Sequence, residues 1–141
     1  MKKTHSPKLI YLLSTADRQV QQWMKQHIPK TFPSPTQAGV LFALNRHDGM
    51  LMGEIGEQIK IAPSSLSGLI QRMEDAELIE RKTCAIDARA TRVYLTPKSR
   101  NFIPQLVEAT QQFDQQLQDD FSTQEIEVVE RWLTHISNKF K

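Results

Sequence analysis

Cysteine is almost missing from this chain. Cys84 stands alone among 141 residues, so no intramolecular disulfide can close and a disulfide scaffold is excluded. A lone thiol fits a reducing compartment, and the expectation is a cytoplasmic protein. Metal ligands are equally sparse. His5, His27, His47 and His135 are scattered, and no pair has ligand spacing, no His-Glu-x-x-His run occurs and no paired-cysteine site exists. These histidines read as surface or interface residues, with no metal and no cofactor expected. There is no nucleophile elbow and no glycine-rich loop to cradle phosphate, so no catalytic site is identified and no enzyme is expected. Long apolar runs are absent too, none approaching the ~20 residues that span a bilayer. Leu9–Leu13, behind the basic start, is too short for a signal core. Neither secretion nor a membrane partner is expected.

What remains is an ordinary globular composition, 39% hydrophobic and 24% charged. A chain of this length buries roughly two-thirds of its unfolded surface and needs no staple to fold. The net charge of +2 conceals strong segregation. Residues 1–35 carry six basic side chains against one acidic, and residues 36–80 carry three against seven. Residues 81–100 return to six against one, and residues 101–141 to three against seven. A twenty-residue block with six cations fits either a polyanion-binding patch or a solvated basic loop.

Apolar spacing is mostly helical. Leu9, Leu12, Leu13, Ala16, Val20, Trp23 and Met24 recur at steps of three and four, and Pro29 and Pro33 end that helix. Ser34-Pro35-Thr36-Gln37 supplies an N-cap serine, a proline at the first helical position and a capping-box glutamine. The helix it opens carries Val40, Leu41 and Leu44 and stops at Asp48-Gly49. A short helix around 53–59 turns Ile55 and Ile59 inward, and its glycines, Gly53 and Gly56, suggest close backbone packing.

After a break at Lys60-Ile61-Ala62, Pro63 starts a helix with Leu66, Leu69, Ile70 and Met73 on one side. Ser64, Ser65, Ser67, Gly68, Gln71 and Arg72 lie on the other. Two helices joined by three or four residues, the second small and polar outside, make the helix-turn-helix pattern. The period then changes to two. Ile79–Thr83 and 91–96 read as strands flanking 84–90, a hairpin or "wing" placed directly after the helix pair. The six cations fall on this hairpin and its flanks, which favours the polyanion reading. Thr96-Pro97 caps a helix with Phe102, Ile103, Leu106, Val107, Phe113, Leu117 and Phe121 on its apolar side, in which Pro104 is expected to kink the rod or remove a bond. Ser122-Thr123-Gln124-Glu125 is a second capping box, opening a helix with Ile126, Val129, Leu133, Ile136 and Phe140. The fold class expected is mainly α with a small β-hairpin wing (α+β).

Three stretches resemble the MarR family of bacterial winged helix-turn-helix transcription factors. They are Ser34–Gln37 with its apolar helix, Ile70-Gln71-Arg72-Met73-Glu74 with Leu78-Ile79-Glu80-Arg81, and Asp87-Ala88-Arg89-Ala90 leading to Val93-Tyr94-Leu95-Thr96-Pro97. The last is the most specific. Glu77 stands where the family commonly has glycine, and the cysteine that peroxide-sensing members carry in the first helix is missing. The resemblance implies a homodimer whose first and last two helices interlock. It divides the chain into an N-terminal dimerisation segment 1–33, a winged helix-turn-helix 34–97 and C-terminal dimerisation helices 98–141. It also implies a recognition helix in the major groove, a wing in the flanking minor groove, and usually repression relieved by a small aromatic or lipophilic effector, whose site is unknown.

Residue by residue, Ser64, Ser65 and Ser67 are short enough for close approach and for bonds to phosphates or bases, Ser64 alternatively capping its helix. Gly68 completes that face without a side chain. Arg72 has the reach for phosphate or guanine, or for Asp75 on its own helix. Arg89 at the wing tip fits a narrow, electronegative minor groove, with Asp87 positioning it. Arg81, Lys82 and Arg92 read as sequence-independent phosphate contacts. Cys84 reads as a plain strand thiol or, beside cations, a redox switch. The expected partner is double-stranded DNA at a pseudo-palindromic operator. The alternative is a winged-helix module that binds protein and not specific DNA.

Overall fold

The structure is a computed structural model that describes residues 8–83, 85–87 and 90–140. Among the described residues there are six helices and three short strands. They run α1 Lys8–His27, α2 Pro35–Arg46, β1 Met50–Leu51, α3 Met52–Ile59, α4 Pro63–Asp75, β2 Ile79–Thr83, β3 Thr91–Leu95, α5 Pro97–Gln118 and α6 Thr123–Lys139. The chain divides into two compact units, Met1–Pro33 and Ser34–Lys141.

The first unit is essentially α1. Lys25 and His27 in its last turn suit the negative end of the helix dipole. The rings of Trp23 and His27 stack at 4.4 Å between centroids. Pro29 follows two residues after the helix and cannot continue it. No residue of α1 is buried, and Leu9, Ile10, Tyr11 and Leu12 are each at least 60% exposed.

In the second unit α2 begins as its sequence demands. The Gln37 amide donates to Ser34 Oγ at 3.2 Å while the Ser34 amide donates to the Gln37 side chain at 3.2 Å. This capping box satisfies two otherwise unpaired N–H groups at the helix start. The helix then buries Val40, Leu41 and Leu44 completely. Buried with them are Ile55 of α3, Leu66, Leu69, Ile70 and Met73 of α4, Ile79 of β2, Val93 and Leu95 of β3, and Ile103 and Leu106 of α5. This is one apolar core under a helix-turn-helix and a sheet.

The sheet is antiparallel with order β1-β3-β2. Register pairs Ile79 with Leu95, Arg81 with Val93 and Lys82 with Arg92. Period two sends Ile79, Val93 and Leu95 to the core and Glu80, Lys82, Arg92 and Tyr94 to the opposite face. The third strand is an addition to the expected hairpin. With only Met50 and Leu51 it is too short for any alternation to appear in the sequence, and its pairing to Val93 and Arg92 creates it.

Tight joints fix the corners. Gly49 has φ +75°, and a Cβ there would lie 2.8 Å from the Tyr94 ring, so the turn before β1 requires glycine. The expected close packing at α3 holds for Gly56, whose Cβ would meet Leu66 at 3.1 Å and the Ile61 carbonyl at 3.3 Å. It fails for Gly53, which faces open space. Lys60 at φ 58° and Glu77 at φ 60° adopt left-handed backbone at the ends of α3 and α4. Glu77 thus carries out, with strain, the turn for which glycine is common. Thr96 caps α5 by accepting the Ser99 amide at 3.2 Å and donates its hydroxyl to the Glu77 carbonyl at 2.7 Å. The buried Ser99 hydroxyl donates to the Leu78 carbonyl. Helix α5 runs on through Pro104, which has no N–H to return to the Arg100 carbonyl. The second capping box, Ser122 with Glu125, opens α6. Backbone and side-chain hydrogen bonds from Ser122 hold the Glu125 carboxyl below its usual range.

No residue of α6 is buried, and Leu117, Phe121, Val128, Val129, Leu133 and Phe140 are all more than 40% exposed. No helix among the described residues is long and apolar enough to cross a membrane.

Candidate nucleic-acid interface

Helix α4 has two faces with different occupations. Leu66, Leu69, Ile70 and Met73 anchor it in the core, which leaves Ser64, Ser65, Ser67, Gln71 and Arg72 exposed and Gly68 half-buried. Its N-cap is Ala62, which offers no side-chain bond, and Pro63 occupies the first helical position. Ser64 is therefore not the cap. The first-turn amides have no capping side chain, an arrangement that favours an anion on the helix axis. The Arg72 guanidinium makes no hydrogen bond or ion pair among the described residues. Its alternative partner, Asp75, instead accepts from Gln71 at 3.0 Å. A guanidinium nitrogen of Arg72 lies 3.3 Å from where a Gly68 Cβ would stand. Gly68 therefore contributes room, letting the Arg72 side chain lie along the exposed face.

The wing cations are placed less uniformly than their charge suggests. Lys82 is exposed and its ammonium sits 5.0 Å from the centroid of the Tyr94 ring, a cation–π contact. Arg92, its cross-strand partner, is half-buried and donates to the Gly49 carbonyl at 2.8 Å, bracing the turn before β1. Asp87 is exposed, and its carbonyl accepts the Ala90 amide at 3.0 Å. Arg89 and Cys84 lie outside the described residues.

Arg81 departs furthest from the expected free phosphate-binding cation. It lies on the core-facing side of β2 and is half-buried. Its Nη2 and Nε donate to one oxygen of Glu74 at 2.9 and 3.3 Å, and its backbone amide donates to the other at 3.0 Å. Nη2 also donates to the side-chain oxygen of Gln71. Sequence reading missed Glu74. The available signal was an acid in the last turn of a helix, where the dipole disfavours it, seven residues before an arginine.

Hydrogen bonds from the Arg81 side chain, then from its backbone, hold the Glu74 carboxyl below its usual range. The same pairing raises Arg81 above its ordinary value. A carboxylate that protonates less readily in the folded chain stabilises the fold fully above the ordinary carboxylate range. That contribution drains away as pH falls through the depressed value. Denaturation midpoints are therefore expected to separate wild type from Glu74→Gln most at pH 7 and to draw together at acid pH, below the ordinary carboxylate range. An equal gap at both pH values would show that the carboxylate is not ionised in this pair.

Among the described residues no cluster of histidine, cysteine or acid groups could hold a metal. What the geometry offers is an exposed, small-residue helix beside a basic strand pair, the architecture of a winged helix-turn-helix protein. Residues 33–90 match the model of the family described as the MarR family. The HTH-type transcriptional regulator MhqR of Bacillus subtilis is 33% identical over 93 residues, 66% of this chain and 64% of MhqR. The match thus spans less than two-thirds of that relative's length. Among solved structures, Staphylococcus aureus MepR in a complex with DNA has a TM-score of 0.82 at 22% identity, covering 93% of this chain and 96% of MepR. The PcaV transcriptional regulator from Streptomyces coelicolor, in complex with its natural ligand, has a TM-score of 0.83 at 19% identity, covering 98% and 95%. At these identities the likeness establishes the fold.

Proposed function

We propose that this protein is a cytoplasmic, homodimeric regulator of transcription that binds double-stranded DNA in a sequence-specific way. The observation that carries the reading is α4, firmly seated by four buried residues yet presenting three serines, Gly68 and an uncommitted Arg72 to solvent. Such a face can enter a major groove without steric hindrance. Ser64, Ser65, Ser67 and Arg72 make the groove contacts, with Gly68 giving Arg72 room. Lys82 and Arg89 meet backbone or minor groove, Asp87 orients the wing tip, and Arg92 and Arg81 chiefly hold the wing in place. Residues 34–97 serve as the DNA-binding domain, and 1–33 and 98–141 as dimerisation segments. The exposed apolar side chains of α6 and of α1 are surfaces that a second copy would cover.

The relatives are regulators rather than enzymes, and no catalytic role is assigned here. MepR bound to DNA and PcaV bound to its ligand support duplex binding and, as the finer reading, repression relieved by a small aromatic or lipophilic effector. Such release is a population shift, its size set by the effector's differential affinity for the two dimer states. Selection of bound sequences from a random duplex pool tests the core of the proposal. Enrichment of a pseudo-palindrome with half-sites about one helical turn apart is expected. A pool that remains random after successive rounds would contradict sequence-specific binding.

A further inference from the structure

We propose that Glu74 and Arg81 are positioning residues for duplex binding, their pair fixing the angle at which the wing leaves the recognition helix. The inference rests on the duplex-binding reading above and assigns a role to Glu74 that this reading does not use. Helix α4 and strand β2 are joined by the corner 76–78, which includes Glu77 in left-handed backbone. A corner alone is a weak guarantee of angle. Here a second link spans it. Strand β2 lies at the edge of the sheet, where outward N–H groups lack a strand partner. Glu74 supplies that missing acceptor to the Arg81 amide with one oxygen and takes two guanidinium nitrogens with the other.

Gln71 extends the link along the helix. Its oxygen accepts from Arg81 and its nitrogen donates to Asp75, so both groups of this amide are directed by neighbours. Gln71 and Arg72 are adjacent, one tied to the strand and the other turned to solvent. The brace therefore ties the exposed face of α4 to the wing through Gln71 and leaves the Arg72 side chain uncommitted. An acid in the last turn of a helix is disfavoured by the dipole, and the two-sided contact with Arg81 accounts for its presence.

The test uses the full chain and a duplex recovered by selection, with affinity measured across a salt series for wild type, Glu74→Gln, Arg81→Gln, Arg81→Lys and the Glu74→Gln/Arg81→Gln pair. Thermal unfolding confirms that each variant is folded. If the pair sets the angle, each single change lowers affinity about tenfold, within the usual range for coupled neighbours. The double variant then falls no further than the worse single. Arg81→Lys, which keeps the charge but not the forked contact, loses nearly as much as Arg81→Gln. All keep the wild-type salt slope.

A direct phosphate contact by Arg81 gives the opposite pattern, and that pattern overturns the proposal. Arg81→Gln then reduces the slope by about one, Arg81→Lys binds almost as wild type, and Glu74→Gln binds as well or better. If wild type binds and Glu74→Gln is unaffected, the proposal fails alone. If wild type binds no duplex, the reading of the site fails and takes the proposal with it. Should Arg81→Gln not fold, Glu74→Gln and Arg81→Lys decide between the two patterns.

Discussion

A chain carrying Ser65→Glu and Ser67→Glu is expected to lose at least ~100-fold in affinity for duplex DNA while melting at nearly the wild-type temperature. Both serines are exposed on α4, flanking the buried Leu66, so neither substitution touches the core. Glutamate at 65 sits in the first turn, where the helix dipole favours an anion, and exposed changes of this kind usually alter stability by less than about 0.5 kcal/mol. The loss would come from two new charges opposed to phosphate and from side chains too long for close approach, each costing about 1–3 kcal/mol of binding. Fluorescence anisotropy with a selected duplex, beside a thermal melt, separates the two quantities. Unchanged affinity would move the interface off α4.

Ile70→Ala is the mirror experiment on the same helix. Ile70 is fully buried, whereas the next residue, Gln71, is exposed. Truncation leaves a cavity in a packed interior and is expected to cost about 2–5 kcal/mol. That corresponds to a fall of roughly 10 °C in Tm for a chain of this size. DNA affinity measured well below the new Tm would change far less than in the serine variant. A shift under about 2 °C would mean that the core is not packed as described. Together the two variants assign stability to one side of α4 and recognition to the other.

This division was legible in the sequence because helical periodicity and burial obey the same geometry. Leu66, Leu69, Ile70 and Met73 at steps of three, one and three leave only one arrangement that buries them all. The caps were legible for a similar reason, since Ser34-Pro35-Thr36-Gln37 and Ser122–Glu125 act within four residues of themselves. Thr96 was equally readable as the cap of α5.

What escaped the sequence depends on partners far along the chain. Strand β1 exists only because Val93 and Arg92 lie beside Met50 and Leu51. The cations at 81 and 92 looked equivalent to Lys82, because net charge does not distinguish a free guanidinium from one already committed. Arg92 reaches the Gly49 carbonyl, 43 positions away, and Arg81 turns to Glu74, on the preceding helix. Asp48 illustrates the same limit. It pairs with Arg100 and accepts the Leu95 amide at 2.9 Å, closing the start of β1 against the start of α5 through contacts that no local pattern announces. Gly68 is an intermediate case. Its spacing of four from Arg72 was visible, but that the space serves the arginine emerges only from their contact.

The central claim is that this helix and strand pair grip a polyanionic duplex, and counterion release tests it directly. The measurement is the affinity of the full chain for a selected duplex, followed from about 50 to 200 mM salt. The account expects log affinity to fall linearly with log salt at a slope near −0.9 for each phosphate neutralised, several in all. A flat line, or no binding at the lowest salt, would contradict it.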